Sequence, residues 1–126
     1  MPKLALAEDP HKPGSLVKIN QTVYLLSASQ KRGFQSLNEF LTYHYRASRI
    51  MPANVADLFL FEGPPMRAKP GTLALDTSDG HTIYLIGKDG EKRGFVSAAA
   101  FRKYRKKSSV VWPIDLSSYP IGKNIE

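Results

Sequence analysis

One pattern occurs twice in this chain of 126 residues, and that repetition restricts the fold more than any other feature. The tetrapeptide Lys-Arg-Gly-Phe stands at 31–34 and again at 92–95, and the β-like segment 22–26 resembles 82–86. Spacing is constant inside the similar segments and changes only between them, where a loop can lengthen at little entropic cost. The sequence therefore predicts two diverged copies of one small unit.

Glycines mark where each copy begins. Gly14-Ser15-Leu16 matches Gly71-Thr72-Leu73, so we predict a flexible leader over 1–13, a first repeat over 14–70 and a second over 71–126. A repeat of this length is near the lower limit for folding alone, and the chain has no cysteine to staple it. We therefore expect both repeats to share one core, with an approximate internal two-fold.

Each repeat reads as three strands followed by a helix. Alternating β-branched and aromatic residues predict strands over 14–19, 22–27 and 31–35. Ser36 and Ser97 are placed to cap the helix that follows, because a serine hydroxyl accepts from the free amides of the first turn. The predicted fold class is α+β, built from two tandem β-β-β-α units.

The end of each repeat is predicted to be irregular. Pro52 and Pro113 interrupt the segment after the helix, since proline lacks the backbone donor that regular structure needs. Asp57 and Asp115 recur at matching positions, and we expect each to cap one short helical turn.

The shared Lys-Arg-Gly-Phe motif has a structural and a functional interpretation. In the structural one, phenylalanine packs inward, glycine permits a close backbone approach, and lysine and arginine point outward. In the functional one, Arg32 and Arg93 are symmetric anchors for a carboxylate or phosphate, because a guanidinium binds both in a forked geometry.

A strongly basic run belongs to the second repeat alone. Its cations are Arg102, Lys103, Arg105, Lys106 and Lys107, where the first repeat has mostly neutral residues. The fold therefore does not require this charge, and these residues are candidates to bind an anion. A solvated helix face is the alternative interpretation.

Three aromatic residues leave two interpretations open. Tyr24 and Tyr84 hold matching strand positions, where aromatic side chains pack in a core or offer a platform on which a sugar stacks. Trp112 has no counterpart in the first repeat. It either plugs the core or contacts a ligand.

Little in the sequence supports catalysis. His11, His44 and His81 lack the spacing of metal ligands, and no glycine-rich phosphate loop precedes a helix. We expect no enzymatic activity and no cofactor. No apolar run approaches the ~18 residues of a membrane span, so insertion into a membrane is not expected.

The repeated pattern of Gly-[Ser/Thr]-Leu, Tyr-Leu-[Leu/Ile] and Lys-Arg-x-Phe-x-Ser-x3-Phe resembles tandem repeats of bacterial extracellular and cell-wall-associated proteins. The resemblance covers nearly all of 14–126 and implies an extracellular or cell-surface location. It departs where such repeats carry a Gly-Tyr pair after the helix, which Tyr45-Arg46 and Lys106-Lys107 do not reproduce. Ala5-Leu6-Ala7 reads either as the remnant of an export signal or as part of a disordered leader.

Three functions follow as hypotheses. A formal net charge of +7 favours anionic partners. The leading hypothesis is a non-catalytic surface module that contacts an anionic polymer or glycan of the cell envelope. The first alternative is a small cytoplasmic nucleic-acid-binding protein, and the second is a structural module that self-associates at the cell surface.

Overall fold

Two β-sheets, each belonging to its own unit, form the framework of the protein. The computed structural model describes residues 9–105 and 110–126. The first unit contains residues 9–40 and 44–66, and the second contains Leu41–Tyr43 together with the described residues from Arg67 onward. The chain is thus of mixed α and β structure, with two sheets and three short α-helices among its described residues.

The first sheet has five strands in the spatial order β4-β1-β2-β3-β5. Strands β1 to β3 form antiparallel hairpins, whereas β4 pairs parallel with β1 and β5 pairs parallel with β3. Asn20 makes the tight turn between the first two strands with a φ of 54°, a conformation that asparagine tolerates better than most residues. The strands are β1 (Leu16–Ile19), β2 (Thr22–Leu26), β3 (Gln30–Gly33), β4 (Ile50–Pro52) and β5 (Phe61–Glu62).

The second sheet has four strands in the order β8-β7-β6-β9. Its hairpins are again antiparallel, and β9 pairs parallel with β6. The end of the chain adds isolated parallel bridges from Ile121 to Lys92 and from Ile125 to Phe95, so it covers the outer edge of β8. The strands are β6 (Leu73–Asp76), β7 (Ile83–Ile86), β8 (Lys92–Gly94) and β9 (Val111–Ile114).

Three short α-helices follow strands, and a polar side chain caps the start of each. In α1 (Leu37–Leu41), the amide of Glu39 donates to Oγ of Ser36. In α3 (Ala98–Tyr104), the amide of Ala100 donates to Oγ of Ser97. Both serines therefore cap their helices as the sequence predicts. The third helix is α2 (Val55–Leu58), and no helix in the described part of the chain is long and apolar enough to cross a membrane.

The ends of the repeats are more regular than the sequence suggests. The segments predicted to be irregular contain β4 and β9, each of which lies at the edge of its sheet beside the first strand of its unit. Proline is tolerated there because an edge strand has one side without ladder hydrogen bonds. Pro52 ends β4, and Pro113 lies within β9.

Each unit contains buried apolar residues. In the first unit, Leu16, Val17, Leu26, Phe34 and Phe40 are all at most 6% exposed. The second unit has a contiguous buried cluster, against which the partly buried rings of Tyr84 and Trp112 pack. That cluster consists of Ala68, Ala74, Ile86, Ile114, Leu116 and Tyr119.

Candidate functional site

The lysines of the repeated motif are buried, contrary to the prediction that they point outward. Lys31 and Lys92 are each 9% exposed. Nζ of Lys31 donates to the carbonyls of Leu58 and Leu60, at 3.2 and 2.6 Å, and Nζ of Lys92 donates to the carbonyl of Leu116 at 2.9 Å. Each ammonium therefore ties the later part of its unit to the third strand, because a buried charge needs such partners.

Lys92 also faces a carboxylate. Its Nζ lies 3.9 Å from Oδ2 of Asp76, which is itself buried. Burial alone would raise the pKa of Asp76, but hydrogen bonds from Ser78 and the amide of Leu116, with the charge of Lys92, outweigh it and lower the pKa. The carboxyl of Asp76 is therefore favoured in its ionised form inside the second unit.

The two arginines predicted as ligand anchors each donate to backbone carbonyls of their own unit. Nε of Arg32 donates to the carbonyl of Pro64 at 2.8 Å, and a terminal nitrogen donates to that of Pro65 at 3.2 Å. Nε of Arg93 donates to the carbonyl of Lys123 at 2.9 Å. Arg32 thus holds two carbonyls of the later part of its unit in a forked contact, and Arg93 holds one.

The basic run is the most open of the predicted candidates. Arg102 and Lys103, in the last turn of α3, and Arg105 just after it are all exposed. Lys106 and Lys107 lie outside the described residues. Cations in the last turn of a helix also complement its dipole, although this effect is small.

Trp112 lies in a strand and packs against buried apolar residues. It lies in β9 opposite Ala74 of β6, and its ring packs against the buried cluster of the second unit. Of the two interpretations that the sequence left open, the structure therefore supports packing of Trp112 against the core.

Each unit has an open groove, beside Tyr24 in the first and beside Tyr84 in the second, and corresponding residues line both. The first groove, of about 340 Å³, is lined by Thr22, Tyr24, Gly33 and Phe34 among others. The second groove, of about 500 Å³, is lined by residues at the same motif positions. These are Thr82, Tyr84, Gly94 and Phe95.

The glycine of the motif makes room for the tyrosine across the strands. Tyr24 is directly opposite Gly33, and Tyr84 is opposite Gly94. A Cβ atom at Gly33 would lie 3.1 Å from the ring of Tyr24 and 3.1 Å from Thr22, and one at Gly94 would lie 3.6 Å from the ring of Tyr84. The ring therefore covers the glycine, a pairing that stabilises glycine in a strand.

The two units differ in how far their aromatic clusters are covered. In the first, Phe34 and Phe40 meet edge to face at 5.2 Å and are 6% and 2% exposed. In the second, Phe95 and Phe101 meet in the same way at 5.4 Å, but both are only half-buried. Tyr104, which packs on Phe95, is 45% exposed. The second groove therefore has aromatic surface available to a ligand.

Polar groups at the rims give the two grooves different charge. Glu62 lines the first, where it accepts from the hydroxyl of Tyr24 at 3.5 Å; burial, followed by the charge and hydrogen bond of Glu62, raises the pKa of Tyr24. The second groove is lined instead by His81, Thr82 and Asn124.

An ionised carboxylate supports the rim of the second groove. Asp79 accepts from the amides of His81 and Thr82 and from the hydroxyl of Thr82. The amide of His81, followed by the hydroxyl and amide of Thr82, lowers the pKa of Asp79 to about 2. Asp79 is therefore negatively charged at neutral pH and fixes the positions of two residues that line the groove.

Asp57 organises a buried polar centre in the first unit. Its carboxylate accepts from the backbone amides of His11 and Asn54, at 2.9 and 3.0 Å, and lies 2.6 Å from the ring of His11. Asn54, not Asp57, is the N-cap of α2, and Asp57 completes a capping box with it. Asp115 is exposed and accepts from the amide of Ser117, so the two aspartates that recur in the sequence have different roles.

Sequence reasoning missed His81 and Asn124 as groove residues. They are more than forty positions apart, and neither has a counterpart of the same type in the first repeat. The repetition of Thr-x-Tyr with Gly-Phe did mark the two strands that form the groove. Within residues 9–105 and 110–126, no group of three or more His, Asp or Glu side chains is arranged to hold a metal ion.

Comparison with known proteins gives no family assignment for this arrangement. No protein-family model matches the sequence, and no curated protein or solved structure shows significant similarity to it.

Proposed function

We propose that the chain is an internal duplication of one unit of three antiparallel strands, a helix and a fourth, parallel strand, and that it acts as a non-catalytic binding module at the cell surface. The duplication is supported by the pairing order, since both sheets place the first strand between a parallel fourth strand and an antiparallel second one. The motif lysine, Lys31 or Lys92, binds a carbonyl in the later part of its unit. A tyrosine at the corresponding strand position, Tyr24 or Tyr84, covers the motif glycine.

The observation that carries the binding role is a division among the basic residues. Lys31, Lys92, Arg32 and Arg93 occur in both units and bind backbone carbonyls. The cations of α3 and Arg105 occur in the second unit alone and are exposed. Exposed cations that the fold does not use are available to an external anion. The partner that fits them is an anionic polymer or glycan of the cell envelope, in keeping with the extracellular location that the repeat pattern implies.

Removing the exposed cations should weaken binding to a polyanion. In the variant Arg102→Ala/Lys103→Ala/Arg105→Ala, the affinity for polygalacturonate should fall. The slope of log K against log salt should also become shallower, by up to about one unit per cation removed. Fluorescence anisotropy with labelled polymer at several salt concentrations measures both quantities.

The matched control removes three exposed lysines elsewhere. Lys12→Ala/Lys18→Ala/Lys88→Ala changes the net charge equally, and all three positions are exposed. Equal losses in both triple variants would mean that only overall charge matters, which contradicts a site on α3. Tighter binding of a single-stranded oligonucleotide than of polygalacturonate at the same salt would favour the nucleic-acid alternative instead.

An exposed apolar surface favours self-association as a second candidate function. Val55, Leu58, Phe59 and Phe61 of the first unit are 57%, 50%, 72% and 79% exposed. Large aromatic side chains left in water are typical of surfaces that become covered in an assembly. Phe61 also lies in β5, at the edge of its sheet.

Polar substitution of the two phenylalanines should abolish any such assembly. Sedimentation velocity should show that the unsubstituted protein associates as its concentration rises, whereas Phe59→Ser/Phe61→Ser stays monomeric. Ile121→Ser is the control, because Ile121 is 82% exposed but belongs to the second unit. A protein that is monomeric up to millimolar concentration would rule this candidate out.

A further inference from the structure

A basic residue of α3 lies on the same helical face as a residue that lines the groove of the second unit. Ala98 and Phe101 of α3 both line that groove. Residues four apart on a helix are neighbours on one face, which places Arg102 next to Ala98. Arg105 is the C-cap of α3, and its amide donates to the carbonyl of Phe101. Arg102 and Arg105 therefore follow directly on residues that line the groove.

The groove offers both kinds of contact that a sugar ring requires. Tyr84, Phe95 and Phe101 provide apolar aromatic surface, and Tyr84 is held in place over Gly94. Around them, His81, Thr82 and Asn124 bring side chains able to donate or accept hydrogen bonds. A groove of about 500 Å³ lies within the usual range for small-molecule sites.

Charge is distributed unevenly along this surface. Asp79 holds Thr82 and His81 on the groove rim, and its lowered pKa keeps it ionised at neutral pH. The exposed arginines lie at the C-terminal end of α3. An acidic group on a ligand is repelled near Asp79 and attracted near the arginines, so the surface favours one orientation.

We propose that this groove binds one ring of an acidic glycan, with its hydroxyl groups toward Thr82 and Asn124 and its acid group toward Arg102 and Arg105. This rests on the proposed binding function and names the ligand class and the site. The first groove does not serve an acidic ring equally well, because Glu62 lines it and its phenylalanines are covered. Binding is therefore expected at one site per chain.

Filling the groove tests the proposal. Ala98 is exposed on the groove wall, and the neighbouring Ala99 is also exposed on α3 but does not line the groove. Ala98→Trp should weaken binding of polygalacturonate about tenfold or more, equivalent to ~1.4 kcal/mol. It should leave binding of polyphosphate, an anion without sugar rings, unchanged. Ala99→Trp should leave both affinities unchanged, and circular dichroism of both variants verifies that they are folded.

A smaller change provides a second measurement. Asn124→Ala removes one polar group from the exposed rim and should weaken polygalacturonate binding several-fold without affecting polyphosphate. Dextran, a neutral glycan, should bind more weakly than polygalacturonate to the unsubstituted protein, because it lacks the acid group for Arg102 and Arg105.

The outcomes separate this proposal from the proposed function. If the unsubstituted protein binds neither polyanion, both fail. If it binds both, and neither Ala98→Trp nor Asn124→Ala affects polygalacturonate selectively, the charged surface stands and the groove is not the site. If Ala98→Trp abolishes binding of a single-stranded oligonucleotide while polygalacturonate does not bind, the groove accepts a nucleobase and the assignment to a sugar is overturned.

Discussion

Replacing Lys92 with methionine should destabilise the second unit by about 2–4 kcal/mol, because it leaves a buried carboxylate without its cation. Methionine retains an apolar stem of similar length, so the main loss is the ammonium that binds the carbonyl of Leu116 and faces Asp76. Trp112 is the single tryptophan of the chain and lies in the second unit. Urea denaturation followed by its fluorescence therefore measures the unit in which the change is made.

Lys88→Met is the matched control for that experiment. Lys88 is exposed in the turn between β7 and β8 and should change the free energy of unfolding by less than about 0.5 kcal/mol. Equal midpoints for Lys92→Met and the unsubstituted protein would show that the buried ammonium contributes nothing. Lys31→Met should destabilise the first unit while leaving the tryptophan transition nearly unchanged.

Replacing Asp57 with alanine should cost about 2–4 kcal/mol in the first unit, because two backbone amides and a histidine lose their shared acceptor. The side chain of Asp57 is fully buried, and its loss also removes half of the capping box of α2. Chemical denaturation followed by far-ultraviolet circular dichroism at neutral pH measures the change. Asp115→Ala, the aspartate that recurs in the second half of the sequence but is exposed, should leave the free energy of unfolding nearly unchanged. Equal losses in the two variants would contradict the role assigned to the buried centre.

The dependence of stability on acidic pH gives a further test of the role of Asp57. Burial opposes ionisation of this carboxyl, but hydrogen bonds from Asn54 and His11 outweigh burial and lower its pKa. A lowered pKa in the folded state stabilises the protein above the ordinary value of ~3.9. That contribution is lost as the pH falls through the lowered pKa. The unsubstituted protein should therefore lose more stability than Asp57→Ala between pH 6 and pH 3.

The first three strands and the helix of each unit could be predicted from local sequence, whereas the pairing of the fourth strand could not. Strands β1 to β3 follow from alternation and β-branched residues, and Ser36 and Ser97 mark their helices because a cap acts within one turn. The fourth strands are three or four residues long and contain proline, so their pairing depends on partners that are distant in sequence.

The burial of Lys31 and Lys92 shows the same limit at the level of one residue. A lysine beside arginine in a strand is expected to be solvated, and only the carbonyls supplied by later segments make burial tolerable. The same lysine position recurs in both Lys-Arg-Gly-Phe motifs, which was a signal that the side chain has a role other than solvation. The groove of the second unit was also missed, since His81 and Asn124 approach each other only after the end of the chain covers β8.

Both sheets are completed by parallel strands or bridges from residues far along the chain, and this affects the order of folding. The first strand of each unit pairs with a fourth strand that lies beyond the helix in sequence, and the outer edge of β8 is bridged by residues 121 and 125. Such non-local pairing raises the contact order, and a high contact order slows folding. During synthesis the first unit has all of its strands once Met66 is available, whereas the second still lacks the residues that cover β8. The early unit is thus expected to fold first and the late one to limit the rate.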